Sequence, residues 1–360
     1  MNVFIRTDAS IQIGSGHVMR CLTLAKQLEK YNVNVKFVCR NIDGNMINYI
    51  AQQGFDVFTL FTEIDTISHW DWTREQWHDD AKETISIIQL EQKTVDMLIV
   101  DHYSIDIKWE RQLRPFVNNI MVIDDVADRN HDCDLLLDQN YYSDMENRYK
   151  NLVPKDCIQL LGPNNALLRE EFLEINPAKY KRDGTIKNIF IFFGGSDITG
   201  ETLKTLYAIE KYMEKNITFN IVIGTANPFK NQIKLFCDQY DNINLHCNID
   251  YMARLMAHAD LAIGAGGTAS WERIYLRLPA IVVILANNQI ELTKTLASTG
   301  AIQSIGETNM VRQLDIQQYV ELLINNPQIV RKMAEKCLSI IDSSIIREKK
   351  IATQIMEFLK

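Results

Sequence analysis

Three times along this chain a short apolar run breaks into a glycine-rich loop that opens onto a helical pattern. The loops are Gly14-Ser15-Gly16, Gly194-Gly195-Ser196-Asp197 and Gly264-Ala265-Gly266-Gly267-Thr268. A strand, a loop with little side chain and a helix start together present unpaired N–H groups at the positive end of a dipole, which suits an anion. Strands and helices alternate between the loops, and this predicts an α/β chain built on parallel sheets. The first loop is not the dinucleotide fingerprint, because Gly-x-Gly-x-x-Gly would need glycine at 19, where Met19 stands.

At 360 residues the chain has length for two domains. Turn signals at Gly162-Pro163 and Pro177, and the charged Lys179–Gly184 stretch, place a linker between about 165 and 185. The expected division is a first Rossmann-like domain over 1–170, a second over 185–342, and a segment 343–360 that folds back on the first. Strands are expected near Asn2–Ile5, Val33–Cys39, Phe55–Leu60, Val95–Val100, Ile120–Ile123 and Leu135–Leu137 in the first half. The second half offers Lys187–Phe193, Phe219–Ile223, Asn244–His246, Leu261–Gly264 and Leu278–Leu285, with helices filling the remainder.

A net charge of −8 speaks against a nucleic-acid or anionic-membrane partner, since both select basic surfaces. No signal-peptide pattern opens the chain and no apolar run reaches the ~18 residues of a spanning helix. Seven scattered cysteines, with no C-x-x-C, read as reduced thiols, and the expected compartment is the cytoplasm.

Candidate chemistry gathers at strand ends. His17 stands where a helix over Val18–Leu28 begins, and a helix N-terminus disfavours an imidazolium. A neutral imidazole there serves as a general base, although a packed cap fits the local sequence equally well. Asp101-His102-Tyr103 and Asp124-Asp125 each follow a predicted strand, at the carboxyl edge where open α/β sheets bind ligands. Asp132-x-Asp134 has the form of a metal-binding pair, but is read as loop chemistry, and no metal or cofactor is expected. Trp70, Trp72 and Trp77 crowd a polar segment and favour an insertion packed on the domain over an aromatic lid. Glu272, a turn into the helix after Gly264–Thr268, is placed to accept hydrogen bonds from a ribose diol. Asn288-Gln289 puts amides at another strand end.

In order and spacing these stretches resemble the UDP-2,4-diacetamido-2,4,6-trideoxy-β-L-altropyranose hydrolases of pseudaminic acid biosynthesis. The resemblance is carried by Gly14–Arg20, Asp101–Tyr103, Asp124–Asn140, Gly162–Phe172, Gly194–Asp197, Gly264–Glu272 and Asn288-Gln289. It implies a GT-B fold, two Rossmann-like domains with parallel sheets facing a central cleft, akin to the glycosyltransferase that makes lipid II. By position it implies that His17 is catalytic with Tyr103 beside it. The sugar would be met by Asp8, Gly14, Ser15, Gly16, Asp101, Asn288 and Gln289. UDP would be held by Gly194, Gly195, Ser196, Asp197, Ile249, Met252, Gly266, Gly267, Thr268 and Glu272. The implied reaction is metal-independent, inverting hydrolysis of a UDP-linked diacetamido-trideoxyhexose. A GT-B glycosyltransferase and a non-catalytic nucleotide-sugar binder are the alternatives, and the oligomeric state is left open, a monomer being compatible.

Overall fold

The computed structural model describes residues 1–11, 13–61, 73–91, 94–348 and 350–360. Trp70 and Trp72 lie outside the described residues, whereas Trp77 begins the helix Trp77–Gln89. The chain divides into two compact units, Met1–Leu167 with Glu348–Lys360, and Leu168–Arg347.

The first unit is built on β1 (Asn2–Thr7), β2 (Asn34–Arg40), β3 (Asp56–Leu60), β4 (Met97–Asp101), β5 (Ile120–Ile123), β6 (Leu135–Asp138) and β7 (Ile158–Leu161). They form one parallel sheet in the order β3-β2-β1-β4-β5-β6-β7. Side chains alternate across a strand, so Val3 and Ile5 of β1 enter the core on one face while Phe4 enters the core on the other. The helix α1 (Gly16–Glu29) buries Val18, Cys21, Leu22, Ala25 and Leu28 at helical spacing against the first of these cores. Ile351, Ala352 and Ile355 of the C-terminal helix Ile351–Phe358 join the same core.

The second unit carries β8 (Asn188–Phe192), β9 (Thr218–Ile223), β10 (Ile243–Cys247), β11 (Leu261–Ala265), β12 (Ala280–Ile284) and β13 (Ile302–Glu307). Their order is β10-β9-β8-β11-β12-β13, again all parallel. Two strands depart from the sequence-based expectation. β7 lies in a stretch read as polar connection, and β13 in a stretch read as helical. Each is an edge strand, where one side of the ladder is unpaired and the apolar pattern is weak. In β13 the register also slips against β12, with Val282 opposite Ser304 and Val283 opposite Gly306, and this breaks the alternation.

In each unit the strand order reverses once, between β1 and β4 and between β8 and β11. Crevices beyond the carboxyl ends of such strand pairs are where open α/β sheets take ligands. All three glycine loops leave from these four strands: one follows β1, one follows β8 and one spans the end of β11.

The carboxyl edge of the first sheet is fixed by a buried ion network. Asp80, on the helix Trp77–Gln89, accepts from Arg6 at 2.7 Å, from Arg40 at 2.6 Å and from the Trp109 indole at 2.9 Å. Arg6 also pairs with Asp8 at 2.6 Å, and the other Asp8 oxygen lies 3.2 Å from Nε2 of His102. The Ser104 N–H donates to Nδ1 of His102, so the proton of that ring sits on Nε2 and points at Asp8. Among the described residues no helix is long and apolar enough to cross a membrane.

Candidate active site

The β1 loop and the end of β4 meet in a tight cluster. Nδ1 of His17 stands 2.6 Å from Oδ1 of Asp101. Arg20, one turn further along α1, reaches both Asp101 oxygens at 2.6 Å and Asp125 at 2.8 Å. Asp101 is fully buried, and burial works to raise its carboxyl. Arg20 and His17 overcome that and hold it far below the usual carboxylate range. An ionised carboxylate only accepts, so the short contact requires the proton on Nδ1 of His17, and Nε2 is the ring atom left to exchange a proton. The Tyr103 ring stands edge-on to His17 with centroids 4.5 Å apart. Cys21 donates its thiol to Asp101 at 3.4 Å; burial and that carboxylate push the thiol well up, which removes it as a nucleophile.

Asp125 belongs to a second acidic group at the same edge. The Tyr149 hydroxyl is 3.1 Å from Asp124 and 3.0 Å from Asp138. One hydroxyl proton serves only one of them, so the other contact requires a protonated carboxyl. Arg129, 2.9 Å away, keeps Asp124 ionised, while burial and Asp125 push Asp138 up to about 7. Asp138→Asn, which mimics the protonated form, is therefore expected to cost under ~1 kcal/mol at pH 7. A raised carboxyl contributes fully below its ordinary value and loses that contribution as pH climbs towards about 7. Denaturant melts of the wild type should weaken across pH 4–7 relative to Asp138→Asn; parallel curves would contradict the shared proton.

In the second unit the loop that ends β11 leads into the helix Ala269–Tyr275. Among the described residues, the N–H groups of Gly266, Gly267 and Thr268 donate to no other group of the chain. A Cβ on Gly266 would stand 2.3 Å from Oγ1 of Thr293, so only glycine lets the loop approach the next helix. Gln289 is brought to the same loop: its Oε1 accepts from the Leu285 N–H at 3.0 Å, and its Nε2 is 3.6 Å from where a Gly267 Cβ would lie. Glu272, 8% exposed, is held through Oε1 by Arg169 at 2.8 Å, and Arg169 also pairs with Glu171 at 2.8 Å.

Several predicted residues stand differently. Asp8 and Asp101, expected against the sugar, are buried and their oxygens serve Arg6, His102, His17 and Arg20. Asp197, expected against UDP, caps its own helix, accepting from the Glu201 and Thr202 N–H groups at 2.9 Å each. A carboxylate thus takes up helix N–H groups that an anion would otherwise meet, beside Gly194, Gly195 and Ser196 of the same loop. Gly195 packs so close to Gly224 that a Cβ on the latter would sit 2.2 Å from its carbonyl. Gly14, Ser15 and Gly16 line the approach to His17 half-buried, with the Gly14 N–H bound to the Ser10 carbonyl at 2.8 Å. Ile249 and Met252 lie beyond the sheet-edge strand β10, half-buried and buried respectively, and Asn288 is exposed. Asp132 and Asp134 are both paired with Arg114, and among the described residues no group of three or more His, Cys, Asp or Glu is placed to hold a metal. Sequence reasoning did not assign Arg20, Asp125 or Arg169. Arg20 at i+3 from His17 was detectable on the helix face, whereas Arg169 pairs across 103 positions with no local signal.

Two parallel α/β units with loops of this kind define the GT-B class. The Acinetobacter baumannii MurG crystal structure matches over 99% of both chains with a TM-score of 0.63 and 15% identity. Residues 189–353 match the glycosyltransferase family 28 C-terminal domain. More particularly, the sequence is similar to the UDP-2,4-diacetamido-2,4,6-trideoxy-beta-L-altropyranose hydrolase of Campylobacter jejuni. The two are 29% identical over 301 residues, 83% of this chain and 97% of that protein. The uncharacterized protein MJ1062 of Methanocaldococcus jannaschii is 28% identical over 299 residues, 81% of this chain, which spans only 57% of that protein's length.

Proposed function

We propose that this protein hydrolyses a UDP-linked diacetamido-trideoxyhexose to UDP and the free sugar. The observation that carries the reading is the hydrogen bond from Nδ1 of His17 to a buried Asp101 that Arg20 clamps. That arrangement fixes the ring, selects the tautomer with its lone pair on Nε2, and stabilises the imidazolium once a proton arrives. Water gives its proton to Nε2 as its oxygen bonds to the anomeric carbon. The carbon–oxygen bond to the diphosphate breaks on the opposite face, the electron pair leaves on UDP, and the configuration inverts. The amides of Gly266, Gly267 and Thr268 accept the charge that develops on the diphosphate. Glu272, fixed by Arg169, receives the ribose diol.

The similarity to the Campylobacter hydrolase supports this reading, and the family 28 domain supports a second one, transfer of the sugar to an acceptor. Incubation of the pure protein with the UDP-sugar and no acceptor separates them. UDP with free sugar supports hydrolysis, UDP formed only after an acceptor is added supports transfer, and binding without turnover supports a carrier.

A ribose contact is made equally in ground and transition states. Glu272→Ala should therefore raise KM with kcat nearly kept, a loss of ~1.5–3 kcal/mol for a charge-assisted pair. Steady-state kinetics that show a large fall in kcat at unchanged KM would give Glu272 a chemical role instead.

A further inference from the structure

Beneath the Gly264–Thr268 loop lies a guanidinium with no carboxylate in bonding distance among the described residues. Arg273 is 2% exposed, and its partners among the described residues are the Ala265 carbonyl at 2.6 Å and the Ser270 hydroxyl at 2.9 Å, both on Nη2. Its Nε has no hydrogen-bond partner among the described residues. The neighbouring carboxylate, Glu272, is held by Arg169. Burial therefore outweighs the pull of Glu272 and lowers the Arg273 guanidinium to about 10. Keeping a cation in such a place is costly unless an anion offsets it.

Arg182 gives an internal contrast. It is half-buried, with no carboxylate in bonding distance among the described residues, yet it donates to the carbonyls of Met256, Ala257, Ala259 and Leu276, which end two helices. Carbonyls at helix C-termini are the negative ends of dipoles and meet part of the charge of Arg182, which burial nonetheless lowers to about 10, as it does Arg273. Arg273 differs in its place: the one carbonyl it holds belongs to the glycine loop that ends β11.

The bond to Ala265 has a directional consequence. In a trans peptide the carbonyl and the following N–H point in opposite directions. With the Ala265 carbonyl held by Arg273, the Gly266 N–H points away from the guanidinium, on the β12 side of the strand end, and has no acceptor in the chain among the described residues.

We propose that Arg273 is the positioning residue of the diphosphate cradle: it aims the Gly266 amide and supplies, from beneath the loop, the positive charge that a bound diphosphate offsets. The inference rests on the UDP site proposed above. It assigns to Arg273 no contact with the ligand, so its effect should follow the charge of the phosphates and leave the nucleoside alone.

Calorimetric titration of UDP and uridine into the wild type, Arg273→Met and Arg273→Lys, with thermal melts of each, tests this. Arg273→Met should bind UDP weaker by roughly tenfold or more while uridine affinity is unchanged, and Arg273→Lys should recover part of the UDP loss. Arg273→Met should melt no lower than the wild type, because an unpaired buried charge is gone. If Arg273→Met does not fold, the Lys variant alone decides, through a smaller loss confined to UDP. Equal losses for UDP and uridine, or no loss of UDP, in a protein whose wild type binds UDP would overturn the role of Arg273 alone. A wild type that binds no UDP would overturn the UDP site as well.

Discussion

His17→Asn is expected to lower kcat by roughly 10²–10⁴-fold with UDP binding retained. Asparagine has a side-chain N–H that can replace Nδ1–H towards Asp101, so the clamp from Arg20 through Asp101 survives. What is lost is the second ring nitrogen and its basicity. Since UDP is assigned to the second unit, its dissociation constant should not follow the fall in turnover. Asp101→Asn offers a companion result: the carboxylate that orients the ring becomes an amide able to present N–H where an acceptor is needed. It should depress kcat in the same direction as His17→Asn, and the double variant should lose little more than either alone, because the two act as one unit. Near-normal kcat in His17→Asn would reduce the histidine to a structural cap.

The second large effect falls on stability. Asp80→Asn should destabilise the protein by ~3–5 kcal/mol, because Arg6 and Arg40 would keep buried guanidinium groups with their shared carboxylate removed. Removing the negative charge leaves Arg6 with Asp8 and Arg40 with the partly exposed Glu83 in place of their shared partner, and Trp109 loses an ionised acceptor as well. The same carboxyl sets an acid limb. Burial works to raise it, Arg6 and then Arg40 overcome this, and it settles at about 2. A depressed carboxyl contributes fully above its ordinary value near ~3.9 and loses that contribution as pH falls through its folded value. Stability should therefore drop by ~2 kcal/mol between about pH 4 and pH 2 from this group. Chemical denaturation at pH 7 and at pH 3 measures both effects, and an Asp80→Asn protein as stable as the wild type at pH 7 would contradict the network.

Much of the fold was legible because parallel strands covered on both faces are nearly continuous apolar runs; β5 fell at Ile120–Ile123 as expected. The loops that follow β1, β4 and β8 or end β11 were legible for the same reason, since a chemistry-bearing residue directly after such a run stands at a sheet's carboxyl edge. That placed Asp101 and Tyr103 at a carboxyl edge, while the neighbourhood of Tyr103 and His17 came from the family resemblance alone. What the residues do to one another was not legible. Asp101 reads as a ligand contact and is also clamped by Arg20, and Asp197 reads as a phosphate contact and also accepts from the N–H groups of its own helix. Both residues have partners within the chain for one physical reason. A carboxylate at a strand or helix end satisfies local N–H groups and buried cations as readily as it meets a ligand, and composition cannot separate the two. The pairing of Arg169 with Glu272 depends on tertiary contact alone.

The central claim is that a base on the first unit directs water to the sugar carbon, and its most direct measurement is the fate of oxygen. Turnover of the UDP-sugar in heavy-oxygen water, followed by mass spectrometry of both products, should place the label in the released sugar and leave UDP unlabelled. Label in the terminal phosphate of UDP would mean cleavage between phosphorus and oxygen, and would contradict the role given to His17.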